Sequence, residues 1–168
     1  MTERLDDEIA RLYRRSRELY LVGRVEEAEI IYRSLRRDHS VELYFEVDLP
    51  VVMRLVHPLG TVLGRATYAP GLVVYQGVSV GSTVDGERPT FTGPCVLFPG
   101  ASVIGPVTVG KNVWITAGTR VEARPGKSLV VPDDSVVFHG TDVKREWYVR
   151  PGLLAKRTKR SVMERYFR

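Results

Sequence analysis

Residues 91–121 read FTGPCVLFPGASVIGPVTVGKNVWITAGTRV, and an apolar side chain returns at every sixth position of this stretch. These positions are Phe91, Leu97, Val103, Val109, Ile115 and Val121. The same spacing precedes the stretch at Val56, Val62, Tyr68, Val74 and Val80, and it follows at Val131 and Val137 after a second small insertion. A period of six matches neither the roughly 3.6-residue repeat of an α-helix nor the alternation of an ordinary strand.

A second series of mostly small or β-branched residues follows the first by four positions. It consists of Gly60, Ala66, Leu72, Val78, Cys95, Ala101, Val107, Val113 and Thr119. A chain with this pattern can turn a corner every six residues while it places side chains in a narrow interior. Three flat sides close one coil of about 18 residues, and successive coils pair as parallel strands roughly 4.8 Å apart. We therefore predict a mainly β chain in which residues 45–140 form a hexapeptide-repeat β-helix of about four coils.

Residues 1–44 show helical spacing instead. Their apolar residues recur at intervals of three, four and seven, at Leu5, Ile9, Leu12 and Leu19. Thr2 is a candidate cap, and Gly23 separates this helix from a second one over residues 25–37. The segment is also similar to one tetratricopeptide unit, but such units work in arrays of about three or more and no second copy follows. We predict an α-helical hairpin used for packing or oligomerisation.

The net charge of +5 originates in a C-terminal extension, residues 141–168, which holds nine basic and three acidic side chains. An amphipathic stretch from Leu153 to Arg168 predicts a short basic helix docked on the coil. Lys156, Arg157 and Lys159 are candidates to contact the phosphates of a ligand. Nucleic-acid binding has little support, because no RNA- or DNA-reading motif surrounds the aromatic residues of this tail.

Length and composition narrow the class of protein. A chain of 168 residues, 43% of them apolar, can form one compact domain with a small appendage. No apolar run approaches the roughly 18 residues of a membrane span, and the first residues carry no secretory signal, so we expect a cytoplasmic protein. Cys95 is the only cysteine, which excludes intrachain disulfides. Its place in the second series predicts a small buried side chain rather than a nucleophile.

Function is expected where the six-residue regularity fails. His57 occupies a corner in Val56-His57-Pro58-Leu59-Gly60 that a small residue would usually fill, and residues 82–90 form a loop outside the coil. An imidazole at an outer corner can act as a general base near neutral pH, typically contributing about 10²–10⁴ in rate. Backbone N–H groups at the glycine corners could then hold the oxyanion. The alternative is a surface histidine without a catalytic task.

A metal centre of three histidines, as in the γ-class carbonic anhydrases, is the rival interpretation of this corner. His39 lies on the helical segment, whereas His57 and His139 are 82 residues apart with no third histidine on the coil. Such a site would need ligands from neighbouring subunits at positions that this chain lacks. We therefore predict no metal cofactor.

Two blocks of the coil carry a family resemblance. Residues 57–64, HPLGTVLG, are similar to the His-Ala-Thr-Gly-Ile-Val-Ile-Gly of the serine acetyltransferases. Residues 74–82, VYQGVSVGS, are similar to the Leu-Gln-Ser-Val-Thr-Leu-Gly-Gly that follows it in that family. The preceding Phe45-Glu46-Val47-Asp48 resembles the family's Phe-Gln-Val-Asp. Over residues 45–140 the chain resembles the serine acetyltransferase branch of the hexapeptide-repeat acyltransferases, which implies a left-handed β-helix.

The resemblance implies that acetyl-CoA is the co-substrate and that it lies along the coil between two subunits of a trimer. His57 matches a catalytic base. Gly81 and Ser82 match the paired glycines that line the cofactor, and Trp114 and Ala117 match two further positions that contact it.

The chain also departs from the family near the acceptor. The loop Gly86-Glu87-Arg88-Pro89 lacks the family's second catalytic histidine, and Val56 stands where the family has an aspartate that holds the amino-acid substrate. Asp48, Glu87 and Arg88 are the candidate substrate-binding residues that remain. The missing groups bear on serine as the acceptor rather than on acetyl transfer itself. Acetyltransferases of sugar pathways offer an analogy for a different acceptor.

Two hypotheses from different functional classes follow. The first is transfer of an acetyl group from acetyl-CoA to a hydroxyl or amine of a small acceptor, with His57 as general base. The second, motivated by the missing histidine, is a catalytically silent β-helix that serves as a scaffold or partner subunit. We expect a homo-oligomer, either a trimer or a dimer of trimers.

Overall fold

The computed structural model describes residues 5–138, 148–151 and 161–167. Two N-terminal helices, α1 (Leu5–Leu21) and α2 (Val25–His39), precede a parallel β-helix, and a short helix, α3 (Val162–Tyr166), lies near the C-terminus. From the second turn onward the chain visits the three walls of the β-helix in the same order. The predicted mainly β architecture is confirmed, and the winding is consistent with a left-handed β-helix.

Three sheets form the walls. Sheet A contains β1 (Glu42–Leu43), β3 (Val62–Leu63), β6 (Ser79–Gly81), β9 (Ser102–Ile104) and β12 (Arg120–Glu122). Sheet B contains β2 (Met53–Val56), β5 (Leu72–Tyr75), β8 (Cys95–Leu97), β11 (Val113–Ile115), β14 (Ser135–Phe138) and β15 (Tyr148–Pro151). Sheet C contains β4 (Thr67–Tyr68), β7 (Thr90–Phe91), β10 (Val107–Val109) and β13 (Leu129–Val131). Neighbouring strands are parallel except where β15 pairs with β14.

The coil has about five turns rather than the four that the sequence predicts. The additional turn begins upstream of the six-residue series, where β1 pairs with β3 and β2 pairs with β5. Most residues of these first strands lie outside the periodic pattern, so spacing alone does not reveal them.

The interior of the coil holds the periodic apolar side chains. Leu97, Val109 and Ile115 are fully buried, and Cys95 is buried in the second inward series, as predicted. Strand pairing stacks these side chains in columns, because Leu72, Cys95 and Val113 occupy one register position on three successive strands. Each turn therefore buries its side chains against the turns on either side.

The predicted phase is wrong at the first corner. Val62 is 36% exposed and Val56 faces outward, whereas the neighbouring Leu55 and Leu63 are 4% and 1% exposed. Val56 pairs with Tyr75, and Gly60 lies against Gly77 two residues after Tyr75, so the first corner contains two additional residues. The next corner is one residue shorter than six-residue spacing requires, which brings Tyr68 back into phase.

The α1–α2 hairpin is confirmed and packs on the first turn of the coil. The Ser16 hydroxyl donates to the carbonyl oxygen of Ala28 at 2.7 Å, which links the two helices. The Tyr13 hydroxyl donates to the carbonyl of Val47 and accepts the N–H of Leu49. Arg17 donates to the carbonyl oxygens of Phe45 and Glu46. Helix α1 is thereby fixed to the segment that leads into the β-helix.

The C-terminal residues return to the outer face of sheet B. Val162 is fully buried against Val73 and Val96, and its N–H donates to Oδ1 of Asn112 at 2.9 Å. A capping box of Ser161 and Glu164 starts α3. Thr2, His139, Lys156, Arg157 and Lys159, for which the sequence makes predictions, lie outside the described residues.

Candidate active site

His57 lies at the corner between sheets B and A in the first turn. Strand β2 ends at Val56, and His57 is exposed with a φ of +48°, in the left-handed region. The corner is closed by two bonds, from the N–H of Leu59 to the His57 carbonyl at 2.8 Å and from the N–H of Thr61 to the Pro58 carbonyl at 3.1 Å. The two additional residues of this corner place the imidazole on the outer surface of the coil.

His57 lines a cleft of about 900 Å³ that is formed by three elements. Strand β2 and its corner contribute Met53 to His57, α1 contributes Asp6 and Asp7, and the residue after α3 contributes Phe167. Oδ2 of Asp6 accepts the backbone N–H of His57 at 3.2 Å. Nη1 of Arg54 donates to the carbonyl oxygen of Tyr166 at 2.9 Å, which holds the C-terminal segment against this wall.

An aromatic row continues from the cleft across sheet B. The rings of Tyr75 and Phe98 stack with centroids 5.3 Å apart, and the ring of Trp114 follows 5.6 Å from Phe98. The Tyr75 and Tyr166 hydroxyls are 3.3 Å apart, and burial together with this hydrogen bond raises the pKa of Tyr166 to about 12. The Tyr166 phenol is therefore neutral near neutral pH.

A column of glycines runs along the same edge as His57, and we call it the glycine edge. It consists of Gly60, Gly77, Gly100 and Gly118, which are exposed and have φ values between +66° and +70°. A Cβ on Gly77 would lie 3.6 Å from backbone atoms of Gly100, so the column is a strip of bare backbone. Ala117 lies on this strip beside Gly118. Three strand spacings separate its ends, roughly 14 Å.

The N–H groups of this edge do not serve as the oxyanion donors that the sequence predicts. The N–H of Gly60 donates to Ser40, that of Gly77 to Leu59, that of Gly100 to Gln76 and that of Gly118 to Pro99, in each case to the carbonyl oxygen. Because these amides hold the corners of successive turns together, they are not available to a ligand in this conformation. The glycines supply space rather than donors.

The four residues predicted to bind the cofactor do not lie together on one protomer. Ala117 is on the glycine edge, whereas Gly81 and Ser82 lie at the opposite edge of sheet A, where the loop 82–90 leaves the coil. Trp114 lies on the outer face of sheet B, where the guanidinium of Arg165 is 5.2 Å from the centroid of its ring. The helix α3 thus occupies the face on which Trp114 stands.

The predicted substrate-binding residues are also apart from the His57 cleft on the described protomer. Asp48 and Arg88 line a recess of about 200 Å³ together with Glu46 and Arg65, which form an ion pair at 2.6 Å. Asp48 pairs with Arg17 at 3.3 Å. Oε2 of Glu87 accepts the N–H of Gly126 at 2.9 Å, so this carboxylate links the loop 82–90 to the second insertion of the coil.

Sequence reasoning missed four groups of the cleft: Asp6, Asp7, Arg54 and Phe167. The two aspartates occupy the first turn of an amphipathic helix, where acidic residues are common for helical reasons alone. Arg54 is the one residue of this group that the sequence pattern could have placed on the outer face, because it lies between buried residues on an alternating strand.

Over residues 5–138, 148–151 and 161–167 no group of three or more His, Cys, Asp and Glu side chains is placed to hold a metal ion. None of the helices described is both long and apolar enough to cross a membrane.

Comparison with known proteins gives a consistent set of relatives. A serine acetyltransferase of Bacillus pumilus is 32% identical over 137 residues, which cover 77% of this chain and 61% of that protein. A serine acetyltransferase of Bacillus subtilis is 36% identical over 97 residues, covering 54% of this chain and 45% of that protein. No protein-family model matches the chain. Over most of its length this chain is similar to the serine acetyltransferases.

Solved structures share the fold of this chain. A serine acetyltransferase from Brucella abortus superposes with a TM-score of 0.67 at 21% identity, over 85% of this chain and 55% of that chain. A serine acetyltransferase in complex with CoA gives a TM-score of 0.69 at 20% identity, over 84% and 56% of the two chains. The chain therefore spans about half to three fifths of the length of the relatives it matches.

Proposed function

We propose that this chain is an acetyl-CoA-dependent acetyltransferase in which His57 is the general base and the acceptor is a small molecule with a hydroxyl or amine. The observation that carries the proposal is the position of His57, which faces an open cleft at one end of the glycine edge. The similarity of residues over 77% of the chain to a serine acetyltransferase supports the same chemistry.

The chemistry requires one proton relay. The neutral imidazole of His57 removes the proton of the acceptor hydroxyl or amine as its oxygen or nitrogen attacks the thioester carbonyl. A C–O or C–N bond forms, the C–S bond breaks as the tetrahedral intermediate collapses, and the imidazolium returns the proton to the departing sulfur. The products are the acetylated acceptor and free CoA, and His57 is regenerated.

The glycine edge supports an extended co-substrate at this position. Its bare backbone runs roughly 14 Å from the His57 corner to Ala117, a shape that accepts a long, narrow ligand without collision with side chains. A bound thioester could therefore reach the imidazole while the rest of the ligand follows the edge. Gly81, Ser82 and Trp114 remain predicted contacts, which a second protomer would have to bring near this edge.

The predicted acceptor groups also require a neighbouring protomer. Asp48 and Arg88 lie in a recess that is separate from the His57 cleft on one protomer. They can join that cleft across an interface between copies, which is one reason to propose a homo-oligomer, either a trimer or a dimer of trimers. Binding of the acceptor by Asp48, Glu87 and Arg88, and a cytoplasmic location, remain predictions.

A thiol-release assay tests the proposal. Wild-type protein is incubated with acetyl-CoA and a panel of acceptors that contains serine, amino sugars and nucleotide-linked sugars. We expect release of CoA with at least one acceptor, and His57→Ala should lower the rate about a hundredfold or more. His39→Ala, the same substitution at the end of α2, is the matched control and should keep normal activity. Equal rates for the wild type and His57→Ala would remove the mechanism.

A catalytically silent scaffold is the second candidate function. Two observations favour it: Arg88 stands where the serine acetyltransferases have their second histidine, and the Glu87 carboxylate is bonded to the N–H of Gly126. The melting temperature in acetyl-CoA separates the two. A ligand at 100 times its dissociation constant stabilises the native state by about 2.7 kcal/mol. A clear rise favours the enzyme, and no rise at millimolar concentration favours the scaffold.

A further inference from the structure

The backbone amide of His57 has an uncommon partner. Pairing between β2 and β5 ends at Val56 and Tyr75, so the next N–H along the chain lies beyond the ladder. That N–H donates to Oδ2 of Asp6, which stands 51 residues earlier in the first turn of α1. The acceptor is a carboxylate, and hydrogen bonds to ionised acceptors are stronger than those to neutral ones.

The corner that carries His57 also needs an external constraint. The left-handed conformation is unfavourable for a side chain with a Cβ by roughly 1–2 kcal/mol, and such conformations persist where the surroundings hold them. Within the described part of the chain, three bonds connect residues 57–60 of this corner to other elements. The N–H of Gly60 donates to the Ser40 carbonyl at 2.8 Å, and the Leu59 carbonyl accepts the N–H of Gly77 in the next turn at 2.8 Å. The third is the bond from His57 to Asp6, which alone reaches the non-glycine residue in the left-handed conformation.

Asp6 is itself carried by a fixed helix. The hydroxyl of Tyr13 and the guanidinium of Arg17 lie about two and three helical turns further along α1 than Asp6. They bond to backbone groups of residues 45–49. Since these contacts determine where α1 lies on the first turn, they also determine where the carboxylate meets the corner.

We propose that Asp6 is a positioning residue that holds the His57 corner in the conformation that aims the imidazole into the cleft. Asp6 acts through the backbone of His57 rather than on the acceptor or on acetyl-CoA. The catalytic part of this inference rests on the proposed function, whereas the anchoring of the corner does not.

Kinetics test the catalytic part. Asp6→Ala removes the acceptor oxygen and should lower kcat about tenfold or more. The KM for acetyl-CoA should change less than about twofold, because the glycine edge is untouched. Asp6→Asn keeps an oxygen at the same position and should restore kcat to within about threefold of the wild type. Glu8→Ala removes an acidic side chain from the same helical turn, outside the set of described cleft residues, and should have normal kinetics.

Amide hydrogen exchange in ¹⁵N-labelled protein tests the anchoring without any need for activity. In Asp6→Ala the His57 amide should exchange about tenfold faster or more, while it stays near the wild-type rate in Asp6→Asn. The amides of Val62 and Gly64, which donate to carbonyl groups of Val78 and Val80 in the next turn, should be unchanged in both variants.

The outcomes separate the two proposals. Unchanged exchange at His57 in Asp6→Ala overturns the role of Asp6, whatever the activity. Faster exchange with a normal kcat also overturns it, because a released corner would then be as effective as a held one. If the wild type and His57→Ala transfer acetyl groups equally poorly, the proposed function fails, and the exchange rates still decide whether Asp6 anchors the corner.

Discussion

Cys95 and His57 occupy opposite environments of the same coil. Cys95 lies in the interior, in register with Leu72 on the turn before and Val113 on the turn after. Burial raises the pKa of its thiol well above the usual range, because the thiolate would lose its hydration. His57 stands outside at a corner, where solvent and a ligand can reach the ring. Their positions relative to the wall decide which of the two can take part in chemistry.

We predict that the Cys95 thiol does not react in the native protein. Iodoacetamide at about pH 8.5, where a free thiol is half ionised, should alkylate Cys95 at least about a hundredfold more slowly in buffer than in concentrated urea. Mass spectrometry of timed aliquots measures both rates. Similar rates in the two solvents would show that the interior opens readily and that the side chain is not held as described.

The contact between Asp6 and His57 cannot be predicted from the spacing of residues along the chain. The burial of Cys95 follows from a six-residue period, because each residue inherits its direction from its place in the repeat. The partner of His57 comes from a helix 51 residues away, and its identity depends on how that helix packs against the first turn. No periodicity in the sequence encodes that packing angle.

At the scale of elements, this coil departs from the regular six-residue repeat at its corners rather than in its strands. The hexapeptide pattern predicts the walls and the inward residues from Tyr68 onward. It fails at Val56 and Val62, since two additional residues at the His57 corner and a shorter corner after β3 shift the phase. The phase error and the candidate catalytic residue lie at the same corner. The two additional residues shift the six-residue repeat, and they also place the His57 side chain outside the coil.

Helix α3 is the element that closes the outer face of sheet B. Val162 is buried on Val73 and Val96, Arg165 lies over the Trp114 ring, and Phe167 reaches the His57 cleft. Its five helical residues are too few to be stable alone, so the helix depends on this docking. The sequence predicts a docked C-terminal helix, but the antiparallel strand β15 before it has no signal in the pattern.

We predict that Val162→Asp releases α3 from sheet B. Loss of a buried valine contact and burial of a charge should together remove about 2–3 kcal/mol of docking free energy. In a Trp147→Phe background, the emission of Trp114 should then shift to longer wavelength as solvent reaches its ring. Met163→Gln, at a neighbouring position that is 37% exposed, is the control and should leave the emission unchanged. An unshifted spectrum in Val162→Asp would contradict the docking.

At the scale of the whole molecule, the interior is one continuous column of side chains from the first turns to the last. The buried cluster extends from Ile9 and Tyr13 of α1 through Leu97 to Val137 of the last parallel strand. Each turn is stabilised mainly by its neighbours, as in other solenoids. Ionisation of one interior group in the unfolded chain therefore changes the stability of the whole coil.

We predict that the free energy of unfolding falls as the pH rises above about 8.5. The native Cys95 thiol keeps its proton because its pKa is raised, while the unfolded chain loses that proton near the ordinary thiol pKa. The unfolded state then binds fewer protons, and stability falls by at most about 1.4 kcal/mol per pH unit from this group. Tyr68, whose pKa is also raised by burial, adds to the decline above about pH 10.

Urea titrations at about pH 8 and pH 10 measure this decline, which spans the ordinary thiol pKa. Cys95→Ala should lose less free energy over the same interval than the wild type, because it has no thiol to ionise. An identical decline in both proteins would assign the effect to other groups.

Strand β15 has a consequence for how copies of this chain meet one another. The last turn of a parallel coil presents backbone donors and acceptors that the first turn of another copy could extend, and repetition of that contact would build a fibre. Because β15 runs against the direction of β14, the sheet B wall ends in a strand that cannot continue the winding. The helical hairpin stands on the first turn, at the other end of the stack. Extension of the sheet B wall along the winding direction therefore stops at β15.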